Sequence, residues 1–234
     1  MKIYSVNIFD IDKDDIENLC LSIDPVKKSR IEKFINKKDR IRALIGEILI
    51  RTMIIEEVDI KNENINFGKN HYGKPYLKEF EKFHFNISHS GNFVVCAVDD
   101  KPIGIDIEKI RYIDEYEEIA KKFFTLNELQ YIFGKDFDSK LIKFYEIWTL
   151  KESYVKCCGQ GLSIPLKNFS ININKNDEVE AIIDNRHNQY TFRKFNIGAD
   201  YKLAVCSLNK EISNNIVIKD QNELINNYSE CCIK

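Results

Sequence analysis

The sequence predicts an α+β protein made of two similar halves related by a pseudo-two-fold. Three observations carry this. Apolar residues alternate in some segments and recur at helical spacing in others, so both strands and helices are expected. The segment FNISHSGNFVVCAV (85–98) aligns without a gap with FNIGADYKLAVCSL (195–208), with Phe85/Phe195, Asn86/Asn196, Ile87/Ile197, Val95/Val205 and Cys96/Cys206 identical. Two further echoes keep the same order along the chain: RIEKFINKKD (30–39) with IAKKFFTLNE (119–128), and GEILIR (46–51) with KESYVK (151–156). Chance likeness of amphipathic segments accounts for any one match, but matches in one order argue for duplication. The halves span 1–100 and 101–209, followed by a tail, 210–234.

MKIYSVNI reads as an opening strand. DDIENLCLSI and PVKKSRIEKFI read as helices, the second started by Pro25 in its first turn. Residues 38–57 form the best helix of the first half, with Ile41, Leu44, Ile45, Ile48 and Leu49 at helical spacing. Short strands follow near 65–67 and 76–77. Then comes the FNI/FVVCAV hairpin, two strand-forming runs around a tight polar turn. The second half opens on a GIDIE strand. Helices follow near 113–124 and 127–134, then a long one from about 139 to 158 that stops at Gly159. Residues 162–208 are strand-like, and FNIGADYKLAVCSL reads as a second hairpin. The tail offers a short strand (215–219) and a short helix, and its Asn-rich ends predict fraying.

The 234 residues are 44% hydrophobic and 31% charged, with a formal net charge of -2. This composition is ordinary for a globular protein and argues against a general nucleic-acid binder. No apolar run approaches the roughly 20 residues that span a bilayer. The N-terminus turns acidic at Asp10 and has no signal-peptide apolar core, so a cytoplasmic protein is expected. The seven cysteines are odd in number and form no C-x-x-C, which argues against a disulfide framework and a zinc site. Cys96 and Cys206 read as buried thiols, the doublets Cys157-Cys158 and Cys231-Cys232 as incidental ones.

The chemistry concentrates in a few places. In Gly104-Ile105-Asp106-Ile107-Glu108, the two acids share one face of a strand. Either they face solvent on an edge, or a cation lies between them. Oxygen-only donors suit a hard ion, Mg²⁺ before Zn²⁺, and Mg²⁺ shares its sites with substrate phosphates. Trp148, Glu152 and Lys156 line one face of the long helix. Glu152 and Lys156 could form a simple i,i+4 pair. Alternatively, Glu152 adds a third carboxylate to the strand pair and Lys156 meets a phosphate. Asn86-Ile87-Ser88-His89-Ser90 offers a hydroxyl and an imidazole to phosphate oxygens, or is a turn whose side chains bond their own backbone. Adjacent Ser88 and His89 have poor geometry for nucleophile and base, and G-x-S-x-G is absent, which argues against a Ser-His-Asp hydrolase. Gly73-Lys74-Pro75 reads as a turn opening a strand. Lys27, Lys28, Arg30, Arg40 and Arg42 could hold an exposed phosphate, or form a solvated face interleaved with Glu32 and Asp39. No glycine-rich phosphate loop occurs.

As an ordered set, GKP, FNISHS, GIDIE and W-x-x-KESYVK resemble the 4′-phosphopantetheinyl transferases, in the longer surfactin-type form with duplicated halves and not the short trimeric holo-acyl-carrier-protein synthases. The resemblance runs from MKIY to Leu208. It implies transfer of the phosphopantetheine arm of coenzyme A to a serine of an apo peptidyl or acyl carrier protein, releasing 3′,5′-ADP, with coenzyme A in a cleft between the halves. It implies Mg²⁺, or Mn²⁺ in its place, held by Asp106, Glu108 and Glu152 against the pyrophosphate. Lys156 would meet the phosphate under attack, and Ser88 and His89 would bind phosphates. Lys27, Arg30 and Arg42 would hold the 3′-phosphate, and Lys74 and Pro75 would flank the adenine. Glu152 is the candidate base, directly or through a water. Arg30 stands where the surfactin-type enzyme has lysine, which keeps the charge, and Cys157-Cys158 replaces a polar pair. The carrier would dock on the second half near Leu162, Ile164 and Leu166, residues that could equally be core. A monomer is implied, because the duplication supplies the interface within one chain. A non-catalytic binding module would break the acid triad or lack the lysine, and all four residues are present. An unrelated Mg²⁺-dependent phosphoryl-transfer or hydrolytic enzyme would not explain GKP and SHS in this order.

Overall fold

The computed structural model describes residues 1–134, 139–183, 186–187 and 189–233. The first half holds β1 (Lys2–Asn7), α1 (Lys13–Leu21), α2 (Pro25–Glu32), α3 (Lys37–Val58), a small ribbon of β2 (Phe67–Lys69) and β3 (Pro75–Leu77), and the hairpin β4 (His84–Ser90) and β5 (Phe93–Asp99). The second half holds β6 (Ile103–Lys109), α4 (Tyr116–Phe123), α5 (Leu126–Phe133), α6 (Lys140–Cys158), β7 (Phe169–Ile173), β8 (Val179–Ile183), β9 (Arg186–His187), β10 (Thr191–Phe195) and β11 (Tyr201–Ser207). The tail contributes β12 (Val217–Lys219) and α7 (Gln221–Ile233).

Local chemistry explains the helix starts. The Asp24 carboxylate accepts from the amides of Val26 (2.9 Å) and Lys27 (3.2 Å), and Pro25 supplies the φ that the first turn of α2 needs. Thr125 and Glu128 form a capping box at α5. α3 and α6 are buried on most of their circumference, which makes them the central helices of their halves.

Two sheets carry the fold. One runs β12-β1-β5-β4, with β12 parallel to β1 and the other pairs antiparallel, and the second runs β10-β11-β6, all antiparallel. α3 lies on β4 and β5, and α6 lies on β6 and β11. Each half thus sets one long helix on antiparallel strands. β7, β8 and β9 form a separate antiparallel sheet. A third apolar cluster, including Ile3, Val95, Ile105, Ile107, Leu203 and Val205, glues the two main sheets together.

The shorter sequence echoes fall in like places. Residues 30–39 and 119–128 each run from the end of one helix across a short link into the next, while 46–51 and 151–156 lie inside α3 and α6. The hairpin echo differs. Phe85 sits near the start of β4 and the chain reverses at Gly91-Asn92, whereas Phe195 ends β10 and residues 196–200 make the reversal. Gly198 and Asp200 are turn formers where the first copy has Ser88 and Ser90 of β4, so the second strand stops early. The tail is not frayed. β12 pairs with β1, Leu224 and Tyr228 are buried in the first core, and the Tyr228 hydroxyl donates to the Ser22 carbonyl at 2.9 Å.

One glycine fixes the height of α6 above β6. A Cβ at Gly104 would lie 2.0 Å from the Ser153 carbonyl oxygen and 2.4 Å from the Cys157 amide nitrogen. No side chain fits, and the approach brings Glu152 and Lys156 down over Asp106. Gly104→Ala is predicted to destabilise the protein by about 2–3 kcal/mol, the cost of overpacking a rigid contact. Urea denaturation reads this as a lower midpoint, and an unchanged midpoint would show that the approach is not constraining.

Candidate active site

β4 and β6 are facing edges of the two sheets. An edge strand leaves amides that need partners once buried. Here the partners are side chains. Asn86, Ser88 and Ser90 share one side of β4 by alternation. Asn86 Oδ1 accepts from the Ile105 amide (2.9 Å), Ser88 Oγ from Ile107 (3.3 Å) and Ser90 Oγ from Lys109 (3.0 Å). Each serine then donates to the acid one residue earlier on β6: Ser88 to Asp106 Oδ1 at 3.0 Å, and Ser90 to Glu108 Oε2 at 2.9 Å.

α6 closes the site from above. Trp148, Glu152 and Lys156 line a cavity of about 380 Å³ together with Ser88, His89, Asp106 and Glu108. The Lys156 ammonium donates to Asp106 Oδ1 (2.6 Å), Ser88 Oγ (2.9 Å) and the Ile105 carbonyl (3.3 Å). Among the described residues it pairs with Asp106 and not with Glu152, so the simple helical pair is not what forms. A second cavity of about 330 Å³ shares Glu152 and Lys156, with Lys74, Pro75, Gly159, Ile164 and Leu166 in its wall.

The acids are buried, not solvent-facing. Asp106 is 3% exposed and its Oδ2 has no hydrogen-bond partner among the described residues. Burial pushes the Asp106 carboxyl above the usual range, more than Lys156 and Ser88 pull it down. Burial and then the Asp106 charge raise both Glu108 and Glu152. These carboxyls are poorly solvated anions, Glu108 and Glu152 in the field of Asp106, and one oxygen of Asp106 is left without a partner among the described residues. Such an all-oxygen set suits a hard divalent cation. As the side chains stand, no three acid, imidazole or thiol groups among the described residues converge on a single metal-sized point. Lys156 supplies the counter-charge nearest Asp106.

The other expected residues are placed as follows. His89 lies on the cavity wall, where burial and then the nearby Arg42 guanidinium push its imidazole below the ordinary range. Arg42 donates to the Gly91 carbonyl at 2.7 Å and pairs with Asp39. Lys27 pairs with Glu47 at 2.9 Å, Glu47 also holds Arg51 at 2.8 Å, and both cations flank Phe67. Arg30 is exposed. Lys27, Arg30 and Arg42 line neither of the two cavities. Lys74 lines the second cavity with its aliphatic stem, but its ammonium is turned onto the carbonyls of Lys156 (2.6 Å), Ile103 (3.0 Å) and Cys157 (3.3 Å). Its burial lowers its pKa from the ordinary lysine value. Asn70 Nδ2 adds a bond to the Gly159 carbonyl at 2.8 Å, and Gly159, with φ +70°, ends α6. The loop of the first half therefore clamps the carbonyl end of α6 with a cation at the negative pole of the helix. Ile164 and Leu166 are half-buried, packing on the second core as well as lining the cavity, and the Leu162 side chain lies outside the described residues.

Sequence reasoning missed Asn86, Ser90, Asn70 and the spacing role of Gly104. The first two carried a signal, since polar residues alternate at 86, 88 and 90 inside an otherwise apolar hairpin. Asn70 carried none, because its partner is a carbonyl some ninety positions away.

An α+β fold with acids from one half, hydroxyls and an imidazole from the other and a lysine between them defines a site for phosphate chemistry across a seam. The comparisons name the class. Residues 102–206 match the family described as "4′-phosphopantetheinyl transferase superfamily", and residues 11–101 match "4′-phosphopantetheinyl transferase, N-terminal". The chain is 35% identical over 226 residues to the 4′-phosphopantetheinyl transferase Sfp of Bacillus subtilis, covering 96% of this chain and 100% of that protein. It is 37% identical over 226 residues to another 4′-phosphopantetheinyl transferase of Bacillus subtilis, with the same coverage of 96% and 100%. It is 39% identical over 212 residues to the 4′-phosphopantetheinyl transferase gsp of Aneurinibacillus migulanus, covering 91% and 87%. The chain belongs to the 4′-phosphopantetheinyl transferase family.

The raised carboxyls make a stability prediction. A carboxyl whose folded pKa is raised favours the fold below its unfolded value, 3.8 for Asp106, and that contribution is lost as pH rises through the folded pKa. At neutral pH the Asp106 charge therefore weakens the cation-free protein. Asp106→Asn is predicted to raise its Tm by roughly 2–4 °C, the shift that 1 kcal/mol gives in a chain of this size, while abolishing turnover. A lowered Tm in EDTA would show that the Lys156 pair outweighs burial.

Proposed function

We propose that this enzyme moves the 4′-phosphopantetheine arm of coenzyme A to a serine of an apo carrier protein, peptidyl or acyl, at the seam between β4 and β6. The observation that carries the reading is the single cavity in which Lys156, Ser88 and His89 meet Asp106, Glu108 and Glu152. Asp106, Glu108 and Glu152 would hold Mg²⁺ or Mn²⁺, which the orphaned Asp106 Oδ2 and the raised carboxyls support. A bound cation there neutralises pyrophosphate charge and acts as a Lewis acid on its oxygens.

The chain's own groups do the rest. The carrier serine oxygen attacks the phosphorus that bears the pantetheine, the bond from that phosphorus to the bridging oxygen breaks, and 3′,5′-ADP leaves. Lys156 and Ser88 stand at the cavity wall, where each would redirect a proton from Asp106 to a phosphate oxygen as negative charge moves to the leaving group. Glu152 accepts the serine proton. Burial and Asp106 raise its pKa, which brings it closer to the value a general base needs near neutral pH. Arg42 beside His89 supports a site for the 3′-phosphate on the first half, with Lys27 and Arg30 as further cations on the approach. Pro75 and the Lys74 stem support an adenine site in the adjoining cavity. Residues 1–100 would supply the nucleotide side and 101–209 the acids and the carrier surface, with 210–234 packed back on the first half. The seven free thiols fit the reducing cytoplasm, and two halves within one chain fit a monomer.

Intact-mass spectrometry tests the reading. An apo carrier incubated with the protein, coenzyme A and Mg²⁺ is expected to gain one phosphopantetheine mass, and to gain none in EDTA. No gain on either a peptidyl or an acyl carrier, with coenzyme A still bound, would make the protein a binding module. Glu152→Gln is predicted to lose at least about tenfold in kcat, a barrier rise of roughly 1.4 kcal/mol. A kcat near that of wild type would remove Glu152 as the base.

A further inference from the structure

We propose that Ser90 is a positioning residue for Glu108, so that an acid of the second half is aimed by a hydroxyl of the first. The proposal rests on the cation reading above. Ser90 is buried, and its hydroxyl has two contacts: it accepts from the Lys109 amide at 3.0 Å and donates to Glu108 Oε2 at 2.9 Å. A hydroxyl has one proton to give. With a backbone amide fixing the oxygen from one side, that proton is directed at the carboxylate. Ser90 is the sole hydrogen-bond donor to Glu108 among the described residues.

What it prevents is also clear. Asp106 and Glu108 lie on the same side of β6, and their like charges repel. Asp106 is held in place twice over, by Lys156 and by Ser88. Glu108 has only Ser90. Without that bond its carboxylate swings away from Asp106, and a cation between them loses one ligand. Ser88 makes the same kind of contact but also receives Lys156, so changing it would disturb two functions at once. Ser90 makes no bond to Lys156 and does not itself line the cavity, reaching it only through Glu108, which makes it the clean probe.

The test uses the full chain and Mn²⁺ alone. Trp148 is the sole tryptophan and lines the cavity, so bound Mn²⁺, a paramagnetic quencher, reports itself through Trp148 fluorescence. Ser90→Ala is expected to raise the Mn²⁺ concentration at half-quenching by about tenfold or more, the usual loss when a ligand's hydrogen-bond partner is removed. Ser90→Thr, which keeps the hydroxyl, is expected to stay close to wild type. Coenzyme A affinity measured by calorimetry in EDTA is expected to be the same in wild type and Ser90→Ala. Should Ser90→Ala not fold, Ser90→Cys keeps the volume with a weaker donor and is expected to lose Mn²⁺ affinity in the same direction. An unchanged half-quenching point in Ser90→Ala, or an equal loss in Ser90→Thr, would overturn the positioning role. A wild-type protein whose Trp148 shows no saturable quenching would overturn the cation reading itself, and the role of Ser90 with it.

Discussion

The seam between β4 and β6 is the contact on which the rest depends. Buried amides on an edge strand must find acceptors. A main-chain ladder would satisfy them and leave no groups over. Side chains satisfy them differently. An asparagine oxygen and two serine oxygens accept the amides of Ile105, Ile107 and Lys109. Each serine keeps a proton, and an acid on β6 takes it. Closing the seam and aiming the acids are therefore one network, and low local dielectric makes such a network strong when complete and costly when broken.

α6 is fixed to that seam from three directions. Gly104 lets it sit directly on β6. Lys74 and Asn70 of the first half grip its carbonyl end. On its far side Lys151, fully buried, donates to Glu128 at 2.5 Å and to the Phe169 carbonyl at 2.9 Å, and stands 4.3 Å over the Phe169 ring. Lys151 and Glu152 are neighbours with opposite tasks. One is locked into a buried pair, whose loss typically costs about 3–5 kcal/mol, while the other faces the cavity. A site on a helix held this way keeps its geometry.

Much of this was legible in the sequence. The helical spacing of Trp148, Glu152 and Lys156 and the alternation of Asp106 and Glu108 placed those residues on shared faces, and they do share a cavity. Periodicity is a local property, and local geometry delivers it. What the chain did not disclose were choices made between distant segments. Whether Lys156 pairs with Glu152 or Asp106 depends on how close α6 comes to β6, and that is decided by Gly104. The resemblance puts Lys74 beside the adenine, and nothing nearby in sequence shows that the open carbonyls of α6 lie within its reach. The hairpin echo was real as sequence but not as equal strands, since a few turn-forming residues outweigh the match at Phe195 and Asn196. The tail was misjudged because its apolar residues, Leu224 and Tyr228, are spaced among asparagines, and only the groove beside α3 makes them core.

The distribution of charge across the seam bears on how the two halves stay together. The second half brings the acids, and the first brings hydroxyls, an imidazole and Arg42. Burial raises all three acids, and the Asp106 charge raises Glu108 and Glu152 further, so like charge is gathered at the place where the halves meet. On the proposed reading, a cation would relieve the acids and an anionic cofactor would satisfy the basic side. On the proposed reading, coenzyme A and the cation together convert the weakest part of the seam into a bridge, and any ligand that binds only the folded protein adds its binding free energy to stability. On the same reading, the buried acids that weaken the fold when charged would favour a doubly charged cation with a phosphate beside it.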